Sequence, residues 1–540
     1  MFTFLKNKTM QPNNPKDLFK KWIPEWLVKI ILFTILMPTM ILFFLPIANL
    51  NASAGHYGCE PKDMQFAVTL FYAGFVGFYS LERRFFSFLA TKEYFIIFNV
   101  MQIITCLIMY YSTELYVIFP LRFLQGMLFA SSVNLSLSTI FSRIDSEKAR
   151  EISFSVFFGM LICATPFNNI VTADLIDQFD YNFLYKIAVF SFIPGLIMIL
   201  ISMNYVRLQV KFPLYDLDWE SFVLYSGIGI SFGYLMVYGQ QYYWFEDSDI
   251  RLVFLGLVLF LFFFAYRQFY IKRPYINLEI FKFRNFKIGC LVLFIMYICR
   301  FASGVTNNYF GQILKFDPRH ISYINIFNLC GLILGVIISC ALLLQKKNIR
   351  FIWGTGFLFL LIFHVAMYFL FNVSANESYY FLPLLCQGLG VGMIMVPTII
   401  YIISSVDIKL GPSAAATALA VRYLGFTVSI GLVNYFSLFR KSQHYNRFQD
   451  NITYANTVYQ DEISRYMNKL SSRGMLPNLT EKASQKLVIS DVNQQASLRY
   501  AMDYYEMMSW IILAMIILVI CTPYINKTLV YLKSKTLVPA

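Results

Sequence analysis

Residues 120–145 read PLRFLQGMLFASSVNLSLSTIFSRID, and residues 382–407 read LPLLCQGLGVGMIMVPTIIYIISSVD. Each segment is an apolar stretch that is long enough to cross a bilayer and ends in polar residues. Aligned at an offset of 262 residues, the two segments share the pairs Gln125/Gln387, Gly126/Gly388, Ile140/Ile402, Ser142/Ser404 and Asp145/Asp407. The matches lie in register along the whole stretch, so they indicate an internal repeat.

Further apolar stretches of this length run through the chain. A helix rises ~1.5 Å per residue, so roughly 20 apolar residues cross the hydrocarbon layer. The fourteen predicted spans begin near Leu27, Met64, Tyr94, Leu115, Ile152, Phe183, Trp219, Ile250, Phe286, Ile321, Phe351, Tyr379, Ala414 and Met502. Hydrophobic residues make up 58% of the chain and charged residues only 14%, far from the composition of soluble domains. The sequence therefore predicts an all-α polytopic membrane protein.

The segments that join the spans alternate in their content of Lys and Arg. Basic clusters such as Arg83-Arg84 follow the even-numbered spans, whereas the joints after spans 3, 5, 7 and 11 contain no Lys or Arg. Because basic joints stay in the cytoplasm, both termini are predicted to be cytoplasmic, which requires an even number of spans. The long basic segment 440–501 lies on the opposite side, at the length where this rule no longer applies.

The net charge of +14 is spread over the membrane-flanking joints and is not gathered on one soluble face. This distribution excludes nucleic acid as the expected partner and favours the anionic lipids of the membrane. Eight of the nine cysteines fall inside spans, without C-x-x-C spacing. Neither a disulfide framework nor a metal site is predicted.

The repeat suggests how the spans are grouped. If span 4 corresponds to span 12, spans 1–6 and 9–14 form two halves of the same orientation, with spans 7 and 8 between them. Parallel repeats of this kind recur in secondary transporters, whose substrate site lies near the midplane between the halves. The predicted units are a cytoplasmic N-terminus (1–26), an N-terminal six-helix bundle (27–205), a two-helix insert (206–285), a C-terminal six-helix bundle (286–522) that includes the external loop 440–501, and a cytoplasmic tail (523–540).

Several local motifs point to one family. The relevant segments are Pro120 to Gly126 in span 4, Phe179 to Gly195 around the start of span 6, Asp218-Trp219 before span 7, Arg284-Asn285-Phe286 before span 9, and Gly411 to Gly425 with Arg422 in span 13. In their order and spacing these segments resemble the fourteen-span drug/proton antiporter branch of the major facilitator superfamily, the EmrB/QacA type.

This resemblance implies a major facilitator fold of 6+2+6 transmembrane helices in the cell inner membrane. It also implies multidrug-type efflux of lipophilic or amphiphilic compounds by alternating access, and no enzymatic activity. No cofactor is expected, and the proton gradient is the implied energy source. A periplasmic adaptor and an outer-membrane channel are implied partners, and the segment 440–501, with helix-like spacing over residues 459–470, would be either their docking site or a capping loop without a partner.

The chain departs from the family pattern at three places. Met37 stands where span 1 of the family has an acidic residue, and span 5 retains only Pro166 of its glycine-rich motif. The loop after span 2 keeps Arg83 and Arg84, but its glycine and acidic positions are scrambled. A transporter or scaffold that has lost proton coupling is therefore an alternative. A membrane enzyme is a second one, since Asp216 and Asp218 form a D-x-D pair.

Charged and amide side chains within the spans are the candidate translocation residues. A buried arginine costs about 2.5–3.5 kcal/mol on insertion scales, so one that persists in a span is a candidate for function. For each arginine the alternative is helix packing or snorkelling to the surface. The predicted substrate or translocation residues are Arg122, Gln125, Asn134, Arg300, Asn307 and Arg422, and further amide candidates are Asn168, Asn169, Gln240 and Gln241.

Proton coupling needs a titratable group, and no Asp or Glu lies deep in a predicted span. The candidates are His364 in the middle of span 11, together with Asp174 and Asp177 at the external end of span 5. For each of them a packing or boundary role is the alternative. The residues expected to act in gating or in structural motifs are Arg83, Arg84, Gly126, Pro166, Gly388 and Gly425.

Overall fold

A computed structural model describes residues 18–86, 90–142, 149–206, 217–271, 273–453 and 455–522. The α-helices of these residues are α1 (Glu25–Ala48), α2 (Leu50–Tyr57), α3 (Pro61–Phe86), α4 (Thr91–Tyr111), α5 (Leu115–Ser142), α6 (Ala149–Gln178), α7 (Phe183–Ser202), α8 (Trp219–Tyr238), α9 (Ser248–Tyr270), α10 (Arg284–Arg300), α11 (Ser303–Gln312), α12 (Pro318–Leu344), α13 (Ile349–Leu370), α14 (Ser378–Ser404), α15 (Gly411–Tyr435), α16 (Lys441–Gln449), α17 (Thr457–Ser471) and α18 (Pro477–Cys521).

Fourteen helical segments of the described chain are long and apolar enough to cross a membrane. They correspond one for one to the predicted spans, with α10 and α11 together forming span 9. The prediction of an all-α polytopic membrane protein with fourteen spans is confirmed. Isolated helices of this length close all their internal backbone hydrogen bonds, which is the condition for spanning lipid.

The helices run alternately between two ends of the bundle. At one end the backbone N–H of Lys20 donates to the Ser202 carbonyl at 2.9 Å, and at the other the Tyr238 hydroxyl donates to Asp63 at 2.5 Å. We call the first end, at which α3, α5, α7 and α9 terminate, the basic face. The second end, which carries residues 49–60, 436–453 and 455–476, is called the loop face.

Burial separates central helices from peripheral ones. In α14, 94% of the apolar segment is buried, whereas in α9 the share is 17%. Helix α8 packs on both α3 and α15, and α9 packs on the outside of α8. The two helices thus lie beside the bundle, facing outward. The grouping into 6+2+6 and the boundaries of the two bundles remain predictions.

Two glycines mark the closest helix crossings. A Cβ on Gly126 of α5 would overlap the carbonyl oxygen of Phe71 on α3, and one on Gly388 of α14 would overlap the carbonyl oxygen of Asn328 on α12. Backbones can approach this closely only where a side chain is missing, as is common between helices in membranes. The glycine of the Gln-Gly pair therefore has a packing role in both copies of the repeat.

The crossings are reciprocal and repeat at the offset found in the sequence. A Cβ on Gly74 of α3 would overlap the Phe123 carbonyl, and one on Gly331 of α12 would overlap the Leu385 carbonyl. Phe123 and Leu385 are themselves 262 residues apart. The pair α3/α5 and the pair α12/α14 thus cross in the same way, which supports the internal repeat.

The last helix is much longer than its predicted span. Helix α18 has 45 residues and begins at Pro477, whereas the apolar stretch alone predicts a start near Met502. Its first half projects from the loop face, where α16 and α17 pack against it. The Tyr466 hydroxyl of α17 donates to Asp491 of α18 at 2.5 Å. The helical spacing over residues 459–470 correctly predicts α17.

Replacing Gly126 by Ala is expected to destabilise the protein, because the new methyl group must displace the α3 backbone. Overpacking of this kind costs about 1–3 kcal/mol. Thermal unfolding of the purified protein in nanodiscs should therefore shift to lower temperature. The matched control is Gly256→Ala on α9, where a Cβ meets no atom within 4 Å and stability should be unchanged or slightly raised. Equal effects of the two variants would contradict the close crossing.

Candidate functional site

A cavity of about 470 Å³ lies between α1, α2 and α6 on one side and α10 to α12, α14 and α15 on the other. It extends from Arg300 and Gln387 in the interior to Asn51 and Phe316 at the loop face. This volume is within the usual range of small-molecule sites. The cavity thus lies where the repeat predicts a substrate site, between helices of the two proposed halves.

The cavity wall is rich in amides and poor in charge. Its amide side chains are Asn49, Asn51, Gln65, Asn169, Asn307, Asn308, Gln312, Asn325, Asn328 and Gln387. Arg300 is the one charged residue among the described residues that line it, and these include no Asp, Glu or His. Apolar groups such as Ile162, Phe301 and Phe426 complete the wall. The site can therefore offer hydrogen bonds, a positive charge and apolar surface.

Arg300 is positioned by a break in span 9. Helix α10 ends at Arg300, two residues adopt a turn, and α11 begins at Ser303. The Arg300 carbonyl, which the break removes from the regular helical pattern, accepts hydrogen bonds from the Gln387 side chain at 3.3 Å and from the Ser303 hydroxyl at 3.4 Å. The break is therefore stabilised by polar groups that also line the cavity.

The Arg300 side chain reaches across to α6. Its Nη2 donates to the Ile162 carbonyl at 3.0 Å and to the Thr165 hydroxyl at 3.2 Å, and Arg300 is only 7% exposed. The guanidinium also lies 5.3 Å from the ring centre of Phe301. Its Nε and Nη1 donate to no protein atom of the described residues. Arg300 thus keeps donors that a ligand in the cavity could use.

Amides extend the polar wall from Arg300 toward the loop face. The Asn328 side chain donates to the Gln387 side-chain oxygen at 3.1 Å, and the Asn325 side chain donates to Asn307 at 3.3 Å. Sequence reasoning predicted Asn307 as a site residue but missed Asn325 and Asn328. The available signal was their spacing of three residues, which places both amides on one face of an otherwise apolar helix.

Arg422 lies close to Arg300 but outside the cavity lining. It is buried, and its Nε donates to the Tyr297 hydroxyl at 2.8 Å. Gly425, one turn further along α15, makes this contact possible, because a Cβ there would lie 2.7 Å from the Tyr297 Cβ. Tyr297 thus separates the two arginines, with both guanidinium groups within 6 Å of its ring centre.

Arg122 has a different environment from the one expected for a substrate residue. It is fully buried and does not line the cavity. Its Nη1 donates to the Leu42 carbonyl at 3.0 Å and its Nη2 to the Phe43 carbonyl at 2.8 Å. Pro46 has no N–H, so it leaves the Leu42 carbonyl without a helical donor. Arg122 supplies that donor and thereby ties α5 to the proline site in α1.

Two amide candidates, Gln125 and Asn168, form hydrogen bonds close to the contact between Arg122 and α1. The Gln125 side chain accepts from Arg122 at 3.0 Å and donates to the Thr105 hydroxyl at 3.3 Å. The Asn168 side chain donates to the Ile41 carbonyl at 2.7 Å, one residue before Leu42. Gln125 and Asn168 are therefore held by the protein itself, whereas Gln387, the repeat partner of Gln125, lines the cavity.

His364 and Asp174, two of the three proton-coupling candidates, lie outside the cavity lining. His364 is fully buried on α13, its Nδ1 is 2.8 Å from the Leu360 carbonyl, and its ring centre is 5.3 Å from that of Tyr505. Asp174 is half-exposed at the loop face and pairs with Arg319 at 2.8 Å. Neither residue lines the cavity. The ion pair joins α6 to α12 beside the cavity mouth.

The remaining predicted residues fall into two groups. Pro166 lies inside α6 and lines the cavity. The side chains of Arg83, Arg84, Asn134 and Asp177 lie outside the described part of the structure.

Asp218 of the D-x-D pair caps α8 by accepting from the Ser221 N–H at 3.2 Å, and it forms an ion pair with Arg267 at 2.9 Å. Asp216 lies outside the described residues. Among the residues that the structure does describe, no group of three or more His, Cys, Asp or Glu could hold a metal ion.

Arg122→Met is expected to reduce stability more than substrate selectivity. The variant leaves the Leu42 carbonyl buried without a donor, at a cost of about 1–3 kcal/mol for an unsatisfied group, and it also removes the second contact to the Phe43 carbonyl. Thermal unfolding in nanodiscs should therefore occur at lower temperature, and Arg122→Lys, which keeps a donor, should recover part of the loss. Unchanged stability together with lost transport would instead support the substrate role expected from the sequence.

Comparison with known proteins is consistent with this geometry. No family model matches the chain. The colistin resistance protein EmrB of Acinetobacter baumannii is 19% identical over 422 residues, which cover 76% of this chain and 78% of that protein. At this identity the EmrB/QacA branch has only weak support.

Solved structures of transporters share the fold. A POT family transporter in complex with a thioalcohol-conjugated peptide superimposes with a TM-score of 0.56 at 13% identity, covering 95% of this chain and 100% of that chain. The same type of transporter with 5-aminolevulinic acid gives a TM-score of 0.55 at 12% identity, covering 95% and 100%. A peptide transporter POT with sulfate gives 0.51 at 12% identity, covering 94% and 98%. These likenesses show that the multi-pass membrane protein has the fold of these transporters.

Proposed function

We propose that this protein is a secondary active transporter that moves lipophilic or amphiphilic compounds out of the cell by alternating access. The observation that carries the proposal is the cavity between α6 and the helices α10–α12, open toward the loop face. Its wall combines amides with apolar and aromatic groups, which suits compounds having both a polar and an apolar part. The similarity to EmrB favours efflux as the direction.

The proposed energy source is the proton gradient, with His364, Asp174 and Asp177 as coupling candidates. One observation favours a second candidate function, an uncoupled or differently coupled transporter. The described lining of the cavity includes no Asp, Glu or His, and Met37 replaces the acidic residue of the family pattern. In both cases the small amphiphilic substrate would occupy the same cavity, and docking of an adaptor on the external loop remains part of the proposal.

Transport and coupling can be separated in proteoliposomes. Counterflow of a fluorescent amphiphile should be faster than in empty liposomes, because an alternating-access carrier exchanges substrate across the membrane. An outwardly directed substrate flux that increases when a pH gradient is imposed would support proton antiport. Counterflow that ignores the gradient would contradict antiport and favour the uncoupled alternative. Absence of counterflow for neutral, anionic and cationic amphiphiles alike would overturn the transport proposal.

The proposed orientation places the loop face outside the cell and both termini in the cytoplasm. In a background without the nine native cysteines, Asn308→Cys in the cavity should react with a membrane-impermeant maleimide on intact cells. The control is Asn348→Cys, at an exposed position of the basic face, which should react only after the cells are permeabilised. The reverse pattern would contradict this orientation.

A further inference from the structure

We propose that the cavity selects amphiphiles bearing one anionic group, a carboxylate or a phosphate, which Arg300 binds. This inference rests on the proposed transport function and names its substrate class. Its starting point is the charge of the wall. Arg300 is the one charged residue among the described lining residues, and its Nε and Nη1 donate to none of the described protein atoms. A planar guanidinium with free donors matches a carboxylate or phosphate group.

None of the described acidic residues forms an ion pair that neutralises Arg300. Arg300 and Arg422 flank Tyr297, with the Arg422 guanidinium 5.5 Å and the Arg300 guanidinium 5.8 Å from the ring centre. Ion pairs in the described structure involve other basic residues, and none includes Arg300 or Arg422. Both arginines are buried, where solvent screens charge weakly. The interior end of the cavity therefore has a positive potential that attracts anions and repels cations.

The apolar part of the wall lies around this charge. Ile162 and Phe301, which border Arg300, and Phe426 all line the cavity, so a ligand whose anion reaches Arg300 would leave its apolar part against them. The Ile162 and Thr165 oxygens already hold Nη2, which fixes the guanidinium before a ligand arrives. A positioned donor of this kind costs less ordering on binding than a free side chain.

Gly304 offers a substitution that tests the charge without disturbing the fold. It lies on the first turn of α11, lines the cavity, and a Cβ added there meets no atom within 4 Å. An acidic residue in the first turn of a helix is also favourable for helix stability. Gly304→Asp should therefore fold and place a negative charge in the cavity, four residues from Arg300. Gly304→Asn is the uncharged variant of the same shape.

The binding test uses the protein in phosphatidylcholine nanodiscs, with empty nanodiscs as background. The probes are a pyrene-labelled dodecanoate, its methyl ester, and a pyrene-labelled dodecyltrimethylammonium. Wild type should bind the carboxylate about tenfold or more tighter than the ester, as expected for a charge-assisted contact. Arg300→Gln should lose this preference, because it weakens binding of the carboxylate far more than binding of the ester. Gly304→Asp should also lose it, or invert it in favour of the ammonium compound.

Two controls should keep the preference of the wild type. Gly304→Asn adds bulk without charge, and Arg251→Gln removes a positive charge from an exposed position of α9 at the loop face. Displacement of the bound dodecanoate by a short-chain alkyl phosphate, but not by inorganic phosphate alone, would show that head group and apolar chain are both recognised. Equal affinities of wild type for the three probes, or an unchanged preference in Arg300→Gln, would overturn the anion site.

Counterflow of the same three probes separates this inference from the transport proposal. Faster exchange of the carboxylate than of the ester and ammonium compounds, lost in Arg300→Gln, supports the anion site. Equal exchange of all three would overturn the anion site and leave the transporter intact. If no probe is exchanged, the transport proposal fails, and the binding preference then decides the anion site by itself.

Discussion

Every backbone carbonyl and N–H within a bilayer must find a partner inside the protein, because lipid offers none. This constraint explains the positions of two buried polar side chains, Arg122 and Gln387. Pro46 leaves the Leu42 carbonyl without a helical donor, and Arg122 of α5 provides it. The break at the end of α10 has the same consequence for the Arg300 carbonyl, which the Gln387 side chain satisfies. Irregularities in one helix thus fix polar residues on its neighbour.

The same constraint divides the intramembrane arginines by role. Arg122 directs its Nη atoms to backbone and amide oxygens and is enclosed by the N-terminal helices. Arg300 uses a single nitrogen for the protein and borders the cavity. The chemistry of the two side chains is identical, and what separates them is that only Arg300 lines the cavity. Burial alone is therefore a poor guide to function among such residues, whereas contact of the guanidinium with the cavity separates Arg300 from Arg122.

The helical spans were predictable because lipid demands about 20 apolar residues in a row, a signal that short-range composition carries. The ends of the helices were harder to predict than the spans. Helix α18, for example, begins at Pro477 as an amphipathic helix, and hydropathy detects only its apolar half. The break after Arg300 is marked in the sequence only by the pair Ser303-Gly304, residue types that occur at helix kinks. Its carbonyl is satisfied partly by Ser303 and partly by Gln387, a residue of another helix that no local pattern contains.

The candidate site was predictable in part for the same reason. Arg300 and Asn307 were identified because charge and amides are costly in a span. Asn325 and Asn328 were missed, although the same argument applies to them and their spacing of three residues places both amides on one helix face. The partner of Arg122 lies about eighty residues away in sequence, at Leu42. Only the three-dimensional arrangement distinguishes a carbonyl from a substrate as that partner.

The length of α18 has a mechanical consequence. Its 45 residues extend over roughly 67 Å at ~1.5 Å per residue, about twice the thickness of the hydrocarbon layer. The projecting half is braced by α16 and α17, so it moves with the helix and not independently of it. A tilt of about 10° at the membrane surface would displace the projecting tip by roughly 6 Å, given a lever arm near 35 Å. The position of the tip near Gly474 therefore changes by several ångströms for rotations of α18 that move atoms within the membrane much less.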